Sequence, residues 1–383
     1  MTRRTFTAIL AASACSTAPE QPAAEAPAIV ETALFQAGEG GYAHYRIPAV
    51  VATPSGAVLV FTEARKSTGG DWGVIDILMR RSLDGGRTFE PALKFLDVGE
   101  VAPNPVALAQ DLDTPGETTY NNFAPIVDAQ GSIHALFCVE YARAFYTRSD
   151  DDGLTWTDPV DITATFETFR PRYDWRVIAT GPGHGIELAS GRLLVPIWMS
   201  TGTGGHAHRP SAVSVVYSDN GGKTWEAGEI AVEHPDLENP SETVAVELTD
   251  GRILLNIRHE GDNHRRAVIY SDNGVDGWTE PAFDEALREP VCMASMIRLP
   301  GPGDRILFAN PDADSRRNLT VRLSENGGLT WPVRKVIEPE SAGYSDLAVG
   351  PDGQVYLFYE KGRVENRIAT LTLATFEEPF LTQ

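Results

Sequence analysis

Nine residues of this chain share one register and have types able to do chemistry. Six segments are built as an apolar run, a short turn with glycine and a second apolar run, turning at Gly56, Gly131, Gly191, Gly251, Gly301–Gly303 and Gly353. Nine or ten residues before these turns stand Arg46, Asn122, Glu242 and Tyr344, and seven after them stand Glu63, Cys138, Trp198, Arg258 and Glu360. Five of the nine are arginine or glutamate at the ends of strongly apolar runs, where such side chains are rare unless paired. Two readings fit. One is a ring of structural salt bridges; the other is a charged, concave site where perturbed groups converge.

The elements that must position them are hairpins. Apolar, β-branched runs around Asp-Gly or Ser-Gly turns are a strong short-range hairpin signal. A second repeat is interleaved with the first: SLDGGRTF at 82–89, SDDDGLTW at 149–156, SDNGGKTW at 218–225, SDNGVDGW at 271–278 and SENGGLTW at 324–331. Each box has the composition of a tight turn closed by a packing aromatic. A box follows each of the first five hairpins by roughly 20 residues, and the sixth is followed only by the last strand, RIATLTLA. Six hairpins, each with a second strand pair, predict six four-stranded antiparallel sheets. Units of 50–75 residues suit propeller blades, whereas solenoid units are shorter and more regular. No long amphipathic helical period appears. The expected fold is all-β, one six-bladed β-propeller over residues 30–383. Such a fold gathers the turns on one face and the nine residues on the other, near the central channel.

Composition narrows the partners. The 383 residues carry 32 basic and 53 acidic side chains, a formal net charge of −21, which argues against nucleic acid because phosphate would be repelled. The 35 Gly and 26 Pro agree with many turns and short strands. Three Cys cannot make a disulfide scaffold, and Cys138 and Cys292 fall in opposite units, too far apart to bridge. No Cys/His cluster has metal-ligand spacing, so no metal or other cofactor is expected. Residues 1–15, MTRRTFTAILAASAC, have the layout of an export signal: a twin-arginine-like start, a short apolar run, then a lipobox-like end at Cys15. The Ala/Pro-rich residues 16–29 read as a tether. The chain is expected to be exported in a bacterium, as a periplasmic or outer-membrane lipoprotein anchored at Cys15 or as a soluble periplasmic or secreted protein, with no other membrane attachment.

The boxes look like the Asp boxes of exo-α-sialidases (neuraminidases), and Tyr45-Arg46-Ile47-Pro48 looks like that family's Arg-Ile-Pro motif. Almost the whole chain after residue 30 resembles the bacterial members. The resemblance implies a triad of arginines that clamps the sialic acid carboxylate: Arg46, Arg258 in Asn256-Ile257-Arg258, and Arg316, selected over Arg317 by the family's Arg-any-Asn/Asp pattern. It implies Asp71 as acid/base, Tyr344 as nucleophile and Glu242 as its partner base, with Glu238 and Glu247 as neighbouring competitors. It implies Glu360 as the acid that holds Arg46, and Glu63 with Arg65 as an acidic-arginine pair beside the site. Guanidinium forks match a carboxylate. A neutral tyrosine is not repelled by that carboxylate as a second carboxylate would be, and, titrating near ~10, it needs a neighbouring base.

The implied activity is retaining hydrolysis of terminal α-linked sialic acid, with sialylated glycans as partners. The alternatives are a non-catalytic propeller that binds sialylated glycans, a trans-sialidase, and a glycosidase for deaminated sialic acid. Trp72, Asn122 and Trp198 are candidates for a sugar-substituent pocket or for packing. His184 sits in a Gly-rich turn, Gly181-Pro182-Gly183-His184-Gly185, that lacks the lysine of a phosphate-binding loop.

Overall fold

The computed structural model describes residues 1–2, 29–67, 69–114 and 116–383. Cys15, with nearly all of the expected leader and tether, lies outside the described residues. The chain is built from antiparallel sheets, and every glycine turn found in the sequence joins two strands. The first sheet runs His44–Ala52, Val58–Arg65, Ile75–Ser82, Leu93–Lys94, and the second Tyr120–Val127, Ile133–Val139, Arg143–Ser149, Val160–Asp161. In the third, Val177–Thr180 and Ile186–Glu187 both pair with Leu193–Ser200. Ser211–Ser218 follows, pairing in turn with Glu226–Ala227 and Val232–Glu233. The fourth runs Thr243–Glu247, Ile253–Ile257, Arg265–Ser271, Ala282–Arg288.

Two hairpin units then share one seven-stranded sheet: Ser295–Arg298, Ile306–Pro311, Arg317–Ser324, Val333–Val349, Val355–Val364, Arg367–Phe376 and finally Val30–Gln36. This departs from six separate four-stranded sheets. Val333–Val349 is one continuous strand whose start pairs with Arg317–Ser324 and whose end pairs with Val355–Val364, so no turn separates the units. The third sheet departs as well, because its leading strand is interrupted by the segment Gly181–Gly185. The N-terminal strand supplies the outer partner of the last hairpin unit, in a register running from Val30↔Thr375 to Gln36↔Thr370.

The leading strands touch in series. His44–Ala52 contacts Tyr120–Val127, which contacts Val177–Thr180; Leu193–Ser200 contacts Thr243–Glu247, which contacts Ser295–Arg298. Val333–Val349 contacts both Ser295–Arg298 and His44–Ala52, which brings the series back to its start. Apolar faces of neighbouring units meet in separate core clusters, and each box aromatic seals one. Phe89, Trp156, Trp225, Trp278 and Trp331 each pack into the cluster shared with the preceding unit. The box turn holds them there: Ser82 Oγ accepts from Gly86 N at 2.8 Å and Asp84 Oδ1 accepts from Thr88 N at 2.9 Å. Buried aromatic and aliphatic area of this kind is the main source of stability.

Candidate active site

Three leading strands carry a β-bulge at the end away from their glycine turns, and each bulge falls on a residue of the register. The pairing slips between Arg46 and Ala49, between Asn121 and Ala124, and between Ala342 and Ser345. A bulge bends a strand and re-aims its side chains, here those of Arg46, Asn122 and Tyr344. Ile47 and Asn122 have φ of 58° and 55°. For a β-branched residue such as Ile47 that conformation is strained, a feature that gathers at functional sites.

These side chains meet in a cleft of about 440 Å³ that also takes in Asp71, Trp198, Glu242, Arg258 and Arg316. Tyr344 is its floor, with its side chain buried. Its hydroxyl donates to Glu242 Oε1 and accepts from Arg258 Nη1 at 2.8 Å; the same Nη1 donates to Glu242 Oε2. Arg46 and Arg316 lie over the Tyr344 ring, their Cζ atoms 4.8 and 5.0 Å from its centroid. Burial raises the pKa of this tyrosine well above its ordinary value, with Arg258 offsetting part of the effect, so the proton stays on the phenol.

Glu360 supports this arrangement from below. Fully buried, it accepts four hydrogen bonds: Oε1 from Arg46 Nε at 2.9 Å and Ile47 N at 3.3 Å, Oε2 from Arg46 Nη2 at 3.4 Å and Tyr344 N at 3.1 Å. Burial would lift its pKa, but Arg46 and then Arg316 outweigh burial and hold it below the usual value. A Cβ on Gly343 would collide with Glu360 Oε2, so glycine is required there.

Asp71 stands on the far wall, its side chain 40% exposed to the cleft and 3.0 Å from Arg65 Nη1. Arg65 also binds Glu63 Oε2 at 2.6 Å, while Glu63 Oε1 accepts from Asn122 N at 3.0 Å. Burial would raise the pKa of Asp71, but Arg65, then His208 and Arg46, pull it well below the ordinary carboxylate range.

Of the competitors, Glu238 meets Asn239 and His234, and Glu247 accepts from Ala189 N beside a separate cavity lined by Val50 and Leu347, so neither touches Tyr344. Arg316 faces the cleft and donates to the Val291 carbonyl at 3.0 Å, whereas Arg317 is exposed at the start of its strand. Trp72 packs behind the wall against Tyr141 at 4.6 Å, and Cys138 is buried against Thr180 instead of lining the cleft. Cys138 and Cys292 are both free and buried. Among the described residues, no group of His, Cys, Asp and Glu is arranged to hold a metal ion, and no helix is long and apolar enough to cross a membrane.

The register could not find Tyr141, His206, His208, Arg209, Asn239 and Glu260, which join the lining from irregular segments. The strongest cue for them was the polar, His-rich stretch 206–209 after a strand that already bore Trp198.

The chain matches the BNR repeat-like domain over residues 101–357. It belongs to the BNR repeat-like domain family. Within reach of that family, it is 34% identical over 375 residues to a protein named sialidase from Micromonospora viridifaciens, an alignment covering 92% of this chain and 55% of the relative. A protein named sialidase from Bacteroides fragilis is 29% identical over 347 residues, covering 85% of this chain and 61% of the relative. The chain thus spans 55% and 61% of the lengths of these two curated relatives. Among solved structures, Hadza microbial sialidase Hz136 superposes with a TM-score of 0.76 at 27% identity, covering 92% of this chain and 69% of the other.

Proposed function

We propose that the protein is a retaining exo-α-sialidase that hydrolyses terminal α-linked sialic acid from glycoconjugates, and that its sheets are the blades of one six-bladed β-propeller. The propeller is supported by the series of leading strands that returns to its start and by the core clusters between successive units. One observation carries the function: the Tyr344 hydroxyl is held between Glu242 and Arg258, under the guanidinium groups of Arg46 and Arg316. A carboxylic acid sugar bound by three arginines would bring its anomeric carbon over that hydroxyl. Uncharged in the resting site, the hydroxyl meets no repulsion from the ligand carboxylate.

The reaction then has two steps. Tyr344 Oη attacks the anomeric carbon as the glycosidic bond breaks; its proton passes to Glu242, and Arg258 Nη1 stabilises the developing phenolate. The departing oxygen takes a proton from Asp71. In the second step Asp71 accepts a proton from water, the water oxygen bonds to the anomeric carbon, and Tyr344 leaves and recovers its proton from Glu242. Two inversions give net retention. Beside Arg65, His208 and Arg46 the Asp71 carboxyl is held ionised; a bound carboxylate that neutralises Arg46, together with exclusion of water, raises its pKa toward the range where it can donate.

Export and lipid attachment at Cys15 belong to the same proposal and would bring the cleft to surface or periplasmic glycans. The test is proton NMR of the earliest product from an aryl α-sialoside. α-Sialic acid appearing first is expected. β-Sialic acid first means direct attack by water and overturns the role given to Tyr344, and absence of release from any α-sialoside overturns the activity.

A further inference from the structure

The Gly181–Gly185 segment, which interrupts the third sheet, carries His184 to the middle of the molecule. Its Nδ1 lies 2.8 Å from Asp346 Oδ1, and the ring borders a cavity that Val50, Met296 and Leu347 also line. A carboxylate oxygen only accepts hydrogen bonds, so Nδ1 carries a proton and the ring donates to Asp346. Burial acts to discharge it, and the Asp346 carboxylate outweighs burial and holds its pKa above the ordinary value. Asp346 is the charged group in contact with it; Asp128, Glu187, Glu247 and Arg298 line the same cavity.

Asp346 stands two residues beyond Tyr344 on the same strand and is fully buried. Besides His184, its Oδ1 accepts from Ser295 Oγ at 2.9 Å, and its Oδ2 accepts from Val50 N at 2.9 Å, four residues along the strand that bears Arg46. Ser295 Oγ in turn accepts from Leu347 N at 2.9 Å. One carboxylate thus ties together four units of the fold just beneath the site. A second route leads the same way: a Cβ on Gly183 would lie 2.7 Å from Met293 Cε, and Met293 packs in one small cluster with Ile47, Cys292 and Tyr344.

We infer that His184 is a positioning residue for Tyr344: its ring N–H fixes Asp346, and through that carboxylate the strand that aims the tyrosine hydroxyl between Glu242 and Arg258. The aromatic ring of Tyr344 is already confined by its neighbours. What the His184–Asp346 hydrogen bond sets is the height of the bulge at Gly343–Tyr344 relative to the strand of Arg46. The inference rests on the reading of Tyr344 as nucleophile.

The test compares wild type with His184→Gln, which keeps a donor toward Asp346 and loses the rigid ring, and with His184→Ala. Turnover of an aryl sialoside, covalent trapping by a fluorinated sialosyl fluoride and binding of a non-covalent unsaturated sialic acid analogue are measured on folded protein. The expected result is a fall in kcat and in the trapping rate of roughly 10- to 100-fold in His184→Gln, with KM and analogue affinity within about threefold, and a larger fall in His184→Ala. A kcat near the wild-type value in His184→Gln, with only a lowered unfolding midpoint, overturns the inference and leaves the nucleophile standing. Equal losses in kcat and analogue affinity overturn it as well, because they mark a collapsed site. Normal trapping on a residue other than Tyr344 in wild type overturns the nucleophile, and this inference with it.

Discussion

Replacing Glu360 with glutamine separates charge from shape at the centre of the site. All four groups that reach this carboxylate are donors, two at each oxygen. Glutamine offers one acceptor oxygen and one NH₂ group. If its oxygen takes the Oε1 place, Arg46 Nη2 and Tyr344 N face a donor; if it takes the Oε2 place, Arg46 Nε and Ile47 N do. Either way Arg46 loses one charge-assisted bond and one buried amide is orphaned. A hydrogen bond to a charged group is worth about 1.5–3 kcal/mol, and an unsatisfied buried donor costs about 1–3 kcal/mol. Glu360→Gln should therefore lower unfolding stability in urea by roughly 2.5–6 kcal/mol. The arginine share alone, if it is lost in the transition state, lowers kcat/KM on an aryl sialoside by roughly 10- to 150-fold, at about 1.4 kcal/mol per tenfold. Gly343→Ala, which drives a methyl group into the same carboxylate, should reproduce the direction of both effects. A Glu360→Gln enzyme within threefold of wild type in kcat/KM, with an unchanged urea midpoint, would refute the reasoning.

Other outcomes follow from the same geometry. Asp71→Ala should lose far more activity on natural glycans than on aryl sialosides, because an activated phenol leaves with little protonation; equal losses on both count against Asp71 as the acid. Arg316→Ala should nearly abolish turnover while Arg317→Ala stays active, and the reverse result moves the third arginine by one position. Burial lifts the Glu140 pKa to about 8, above the usual carboxylate range, with Thr119 N opposing. The native state then holds a proton that the unfolded chain releases near pH ~4.3, so stability should fall as pH rises from about 5 to 8. Glu140→Gln should flatten that dependence, and an unchanged slope in thermal midpoint against pH would remove Glu140 as its source.

Counting outward from a glycine turn placed Arg46, Asn122, Trp198, Glu242, Arg258 and Tyr344 in one cleft, and Glu360 and Glu63 just behind it. The count works because both arms of a hairpin advance by a fixed rise per residue, so equal distances from the turn reach equal heights. Cys138 fits the same count yet lies under Thr180, because the register gives height along a strand and says nothing of which neighbour covers it. His206, His208 and Arg209 were illegible for a different reason: they belong to a loop, and loops carry no period. The merging of two units through Val333–Val349 was hidden because Glu338-Pro339-Glu340-Ser341 looks like a break. Its backbone instead stays extended from one pairing partner to the next.

The pairing of Val30–Gln36 with Arg367–Phe376 also sets how the molecule responds to force. Val30 pairs with Thr375 and Gln36 with Thr370, so the points where chain enters and leaves this ladder lie at the same end of it. Tension between them loads one rung at a time, and the ladder peels like a zipper instead of shearing all at once. Between those two points this short strand is the part that a zipper-like load releases first. What its release uncovers is a bare sheet edge along Arg367–Phe376, a ready template for another strand.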